Sequence, residues 1–150
     1  MPEFLSFYAK QGGRPSVEYL DDDEGIKKIL EDILIFFRSP RIENQEYYVY
    51  SSKSVRDYLY KLFPNFTKEK VRRGIKTKVI ALGEGGDPKN LKLAERKWLA
   101  ADAPAYIMIY GPKVALISVA DDGKPFGVVI NDEKIAKTQR ILFDNLWSMI

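Results

Sequence analysis

The chain has 150 residues, 45% of them hydrophobic and 30% charged, and a formal net charge of +3 at pH 7. That balance describes one folded domain with its own core, and the mild charge falls short of the concentrated basic face of a typical nucleic-acid binder. Neither cysteine nor histidine occurs, which excludes disulfides, thiolate zinc sites, cysteine nucleophiles, phosphohistidine intermediates and the commonest general base, so we expect no cofactor and no metal site.

In chain order, residues 1–11 read as the end of a helix, broken by Gly12, Gly13 and Pro15. SVEYL (16–20) alternates as a first strand. Asp21 to Asp23 suit a helix N-terminus better than a calcium loop, because Ile26, Ile29, Leu30, Ile33, Leu34 and Phe37 follow at helical spacing. EYYVYSS (46–52) is a second strand, with Ser51 or Ser52 capping the helix SVRDYLYKLF. TKEKVRR starts at Thr67 and stops at Gly74, and IKTKVIALG (75–83) is a third strand. GEGGDPKN is a loop without the Gly-Lys-Ser/Thr of a phosphate loop, leading into a helical patch around LKLAERKWLAA.

The last third changes character. AYIMIYG, KVALISVA and FGVVIN are separated by Gly-Pro and Asp-Asp-Gly-Lys-Pro turns and read as an antiparallel meander. A helix over 132–149, capped by Asn131 or Asp132, closes the chain. The expected fold class is α/β, a mixed sheet covered by helices. The longest apolar runs, such as ILIFF and AYIMIY, are too short to span a bilayer and no leader pattern opens the chain, so a cytoplasmic location without membrane partners is expected.

YGPKVALIS (110–118) carries the chemical question. Gly111-x-Lys113-x4-Ser118 has the spacing of the phosphodiesterase motif His-x-Lys-x4-Asp with its first and last members replaced. In a regular strand Lys113 shares a face with Ala115 and Ile117, and Ser118 falls on the other face with Val114 and Leu116. The run YGPKVALISVADDGKPFGVVIN resembles the closing strands of the phospholipase D-like fold. The resemblance puts Gly111 at the nucleophilic histidine, Lys113 at the phosphate-holding lysine, Ser118 at the aspartate and Gly127 at a later glycine, which implies no enzyme activity.

The series GGRPSVEYLDDDEGIKKILEDIL, RRGIKTKVIAL, YIMIYGPKVALIS and GVVINDEKIAKTQRILFDNLW is similar to the C-terminal domain of TrmB-type transcriptional regulators. This resemblance implies a phospholipase D-like effector and dimerisation domain over residues 13–150, preceded by a linker-helix remnant over 1–12. It implies a homodimer, a small-molecule effector, and DNA contact only through a winged-helix domain. Fewer than 15 residues precede Gly13, against the roughly 70 such a module needs, so that reader is expected to be absent from this chain.

Candidate residues follow. Lys113 is the expected anion-facing group, with Gly111 leaving room where the histidine ring would stand, Ser118 at the aspartate position, and Arg96 a further candidate for the same cleft. The other reading of Lys113 is a solvated turn lysine after Pro112. Leu142, Phe143, Leu146 and Trp147 spread over more than one helix face and are candidates for a dimer interface, although Trp147 also reads as core. Lys68, Lys70, Arg72, Arg73, Lys76 and Lys78 offer an alternative function as a nucleic-acid contact. Their other reading is a charged helix end followed by one strand face, without the interleaved aromatics that single strands stack on. An active phosphodiesterase is the remaining rival, and it would need a nucleophile that Gly111 cannot be.

Overall fold

The computed structural model describes residues 15–83 and 93–150. The expected linker-helix remnant over 1–12 and most of the GEGGDPKN loop lie outside the described residues. The strands are β1 (Ser16–Asp21), β2 (Glu46–Ser52), β3 (Lys76–Leu82), β4 (Ala94–Leu99), β5 (Tyr106–Tyr110), β6 (Lys113–Val119) and β7 (Pro125–Asn131), and the helices are α1 (Asp22–Phe36), α2 (Lys53–Leu62), α3 (Phe66–Arg72) and α4 (Glu133–Met149).

Seven strands form one sheet in the order β1-β7-β6-β5-β2-β3-β4. The meander β5, β6 and β7 is antiparallel as expected, and β1 adds to its outer edge against β7. On the other side β2, β3 and β4 are parallel. The halves join where β5 pairs antiparallel with β2 through Tyr48↔Ile109, Val49↔Met108 and Tyr50↔Ile107. The fold is therefore the mixed α/β sheet read from the sequence.

Alternation along the strands sends side chains into two cores. One lies under α1, α2 and α3 and takes Ile26, Ile29 and Ile33 of α1 with Tyr47, Val49, Met108, Ala115 and Ile117 of the sheet. The other lies under α4 and gathers Tyr48, Ile80, Ile109 and Val114 around Phe143. The acids Asp22, Asp23 and Glu24 sit in the first turn of α1, where the helix dipole favours negative charge. Asp132 caps α4 by accepting from the Ile135 amide at 2.9 Å. No helix among the described residues is long and apolar enough to cross a membrane.

Two expectations are corrected. AERKWL is strand β4 rather than a helix, paired in parallel with β3 from Thr77↔Ala94 to Leu82↔Leu99. The hydrogen bonds offered by β3 outweigh a local preference worth only tenths of a kcal/mol per residue. The interface set also divides. Phe143 is wholly buried in its own chain, with Tyr48 and Tyr50 at ring-centroid distances of 5.3 and 5.2 Å. Trp147 stacks on Phe143 at 5.9 Å and lies within reach of the ammonium groups of Lys97 and Lys78 at 4.7 and 5.5 Å. Leu146 packs at the edge of this core, and Leu142 alone of the four is mostly exposed, at 56%.

Phe143→Ala should cost about 3–5 kcal/mol of unfolding free energy in a urea titration, as large buried truncations do, while Leu142→Ala should stay within about 1 kcal/mol.

Candidate functional site

The strand that carries the phosphodiesterase spacing lies in the middle of the antiparallel half. Gly111 and Pro112 turn the chain between β5 and β6, and Gly111 has φ +56°, a left-handed conformation that side chains disfavour. A Cβ built at Gly111 would collide with the tip of the Phe36 ring. That ring ends α1 and packs edge-on against Tyr110 at 5.9 Å. The expectation that Gly111 leaves room is thus corrected: the place where a histidine side chain would start is occupied by Phe36.

Lys113 opens β6 and points to the α1 face with Ala115 and Ile117, as strand parity requires. Rather than standing free in solvent as a turn lysine, it is paired within the chain. Its ammonium is 2.9 Å from Asp32 Oδ2, and the Tyr110 hydroxyl donates to that same oxygen at 2.9 Å. Burial, and then the Asp32 charge, push the Tyr110 hydroxyl well above its ordinary pKa, so it stays protonated and a donor. The adjoining cavity, about 220 Å³, is lined by Glu18 and Asp32 as well as Lys28 and Lys113, so its charges balance. Ser118 is five residues further along β6, roughly 17 Å away, on the opposite face. Among the described residues no cluster of three or more acidic groups is placed to hold a metal.

Arg96 does not share a cleft with Lys113. Between β6 and β4 lie β5, β2 and β3, about 19 Å of sheet. Arg96 instead lines a second cavity of about 640 Å³, roofed by α2 and α3 and floored by β2, β3 and β4. Lys70 reaches into it from α3. Its ammonium donates to the Tyr47 hydroxyl at 2.9 Å and to Thr77 Oγ1 at 3.5 Å, and sits 5.2 and 5.0 Å from the Tyr47 and Phe66 ring centres. Burial, with the neighbouring Arg96 charge adding to it, brings Lys70 down to about 8. Burial raises Tyr47 and Tyr106 well above the usual tyrosine range, so both hydroxyls remain neutral.

The basic stretch from Lys68 to Lys78 does not make one surface. Lys70 turns inward, Arg72 and Arg73 pair with Glu69 at 2.7 and 3.4 Å, and Lys78 lies over Trp147 on the far side of the sheet. Sequence reasoning missed Asp32, Tyr110 and the Lys70 cavity. The parity of Lys113 was readable in advance, but the carboxylate that neutralises it, Asp32, comes from 81 positions away.

The chain matches no family model and no curated protein. Solved structures do match it. TrmBL2, described as an archaeal chromatin protein showing a novel mode of DNA binding, superposes with a TM-score of 0.55 at 16% identity over 98% of this chain, which spans only 58% of TrmBL2. NucT from Helicobacter pylori gives 0.60 at 10% identity over 90% of this chain and 97% of its own. Nuc from Salmonella typhimurium, a phospholipase D family member, gives 0.52 at 17% identity over 90% of this chain and 95% of its own.

Gly111→Ala should destabilise the fold by about 1–3 kcal/mol through its backbone conformation and the Phe36 contact. In a double-mutant cycle, Phe36→Ala should recover part of that loss, measured as unequal urea midpoints. The arrangement that β5, β6, β7 and α4 complete around this closed position is the phospholipase D-like fold, shared with TrmBL2, NucT and Nuc.

Proposed function

We propose that this chain is the effector-sensing and dimerisation domain of a TrmB-like transcriptional regulator, built on a phospholipase D-like fold that performs no phosphodiester chemistry. One observation carries the reading: Phe36 fills the nucleophile position at Gly111 while Asp32 neutralises Lys113. A phosphoryl group there would find no nucleophile at Gly111 and would have to compete with Asp32 for Lys113. The domain then acts by binding, and contact with DNA belongs to a winged-helix segment outside these 150 residues.

The dimer would use the flank of α4 rather than its buried face. Ile135, Leu142 and Met149 stand seven residues apart, hence nearly in line, and are 41%, 56% and 80% exposed. Leu146 borders the stripe. A twofold dimer brings the same stripe of each copy together and removes it from water.

Purified protein should release no p-nitrophenol from bis-p-nitrophenyl phosphate above the buffer rate. A rate that disappears in Lys113→Ala would overturn the silent-fold reading. Light scattering at high micromolar concentration should give twice the chain mass, shifting to the single-chain mass in Ile135→Glu/Leu142→Glu with unchanged circular dichroism. Because its cations are dispersed over both sheet faces, the chain alone should show no duplex DNA binding at moderate salt. Binding with a steep salt dependence would favour the nucleic-acid alternative instead.

A further inference from the structure

We propose that the cavity between α2–α3 and β2–β4 is a binding site for a small molecule that carries an oxyanion headgroup, phosphate or carboxylate, on an apolar or ring-shaped body. The proposal rests on the reading of the domain as a sensor and names the chemistry of what it senses.

Lys70 and Arg96 reach this cavity from α3 and β4, and Lys53 and Arg56 line it from α2. Among the described residues its one acidic lining residue is Asp57, exposed on α2. Charged groups taken out of water are ordinarily matched by opposite charge. Lys113 shows this elsewhere in the same fold, since it holds Asp32. Among the described residues Lys70 donates only to neutral oxygens, those of Tyr47 and Thr77. Arg96 departs further from the rule: its Nε and Nη1 are buried and have no hydrogen-bond partner among the described residues. Two cations near enough to disfavour each other, both inside one cavity, define a place suited to an anionic counterpart.

The neutral groups narrow the class. The Tyr47 and Tyr106 hydroxyls stay protonated and can donate beside the two cations, which suits a group with several acceptor oxygens. Phe63, Phe66 and Leu59 supply apolar wall. A volume of about 640 Å³ is of the size that encloses one small organic molecule. A nucleic-acid duplex does not enter it.

Lys70 also sets a pH dependence. Among the described residues, the charged and tyrosyl groups lining the cavity with it are Lys53, Arg56, Asp57 and Tyr60 from α2, Tyr47 from β2, Arg96 from β4 and Tyr106 from β5, with Thr77 of β3 beside them. With Lys70 brought down to about 8, the free protein loses that proton as pH rises through 8. An anion binds the protonated form better, so its affinity is full below pH 8 and declines above it.

The test is calorimetry and thermal melting in a phosphate-free buffer, with inorganic phosphate, phenyl phosphate, benzoate and neutral phenol as probes at millimolar concentration. Phenyl phosphate or benzoate should raise the melting temperature and bind more tightly than inorganic phosphate; the better of the two identifies the headgroup, and phenol should do neither. Arg96→Gln and Lys70→Gln should each weaken binding at least tenfold. Without ligand they should melt at or above the parent temperature, because each removes a charge that has no counterpart; a merely structural role predicts a lower one. Lys124→Gln, in the β6–β7 turn, should bind as the parent does. Affinity should fall between pH 7 and 9 in the parent and stay flat in Lys70→Gln. The proposal is overturned if neither organic anion binds, or if Arg96→Gln binds like the parent. Failure of the probes in a chain that dimerises and is phosphodiesterase-silent removes this ligand class and leaves the sensor reading standing. Binding by a chain that stays monomeric removes dimerisation and leaves the ligand assignment.

Discussion

The pairing of β5 with β2 is the joint on which the molecule depends. Three residue pairs, centred on Val49↔Met108, fuse an antiparallel half that ends at β1 to a parallel half that ends at β4. Both strands are covered on both faces, so each contributes to both cores: Tyr47 and Met108 to the one under α1, Tyr48 and Ile109 to the one under α4. A slip of one residue at this joint would exchange the two sets and place Tyr47, which accepts from Lys70, on the α4 side. Register here therefore positions everything on the α1 to α3 face at once, with the closed catalytic strand to one side of the joint and the Lys70–Arg96 cavity to the other.

The two halves treat lysine in opposite ways. Lys113 has a carboxylate at 2.9 Å and a tyrosine hydroxyl sharing that oxygen, so its charge is spent inside the fold. Lys70 has two neutral oxygens, two aromatic rings and a like charge nearby. Position in an old motif would have favoured Lys113 as the group that meets a ligand. Electrostatic pairing favours Lys70, because only an unmatched buried charge gains strongly when an external anion arrives.

What could be read from the chain follows the range of the forces involved. The stripe of α1, the meander of β5 to β7 and the capped α4 are local patterns, visible in windows of about ten residues, and they stand where the spacing put them. The opposite facing of Lys113 and Ser118 follows from strand parity alone. AERKWL was misread because its alternation is short, its flanks are apolar at helical spacing, and its ladder comes from β3. Phe143 and Leu142 differ by one residue and 100° of helix, which decides between core and solvent and which composition cannot resolve. The cavity was the least legible part. Its residues come from three helices and four strands between Leu30 and Tyr106, joined by no motif.

β4 ties the cavity to the exposed flank of α4 through the simplest property of a strand. Arg96 faces the cavity, and its neighbour Lys97 faces the other way, where its ammonium donates to the Trp147 and Ile150 carbonyls at 2.8 and 3.1 Å and so closes the C-terminal end of α4. Adjacent residues on an extended backbone cannot move independently. β4 is also the last strand of the sheet and is held on its β3 side, which makes it easier to displace than any strand paired on both sides. A ligand that draws on Arg96 thus acts on the strand whose next residue anchors α4, the helix that carries Ile135, Leu142 and Met149 on its outer flank. For a ligand to bias one dimer arrangement over another it must bind the two with different affinity. Of the contacts described, the Arg96–Lys97 alternation is the shortest covalent path by which a charge bound on one face of the sheet can alter the seating of a helix on the other.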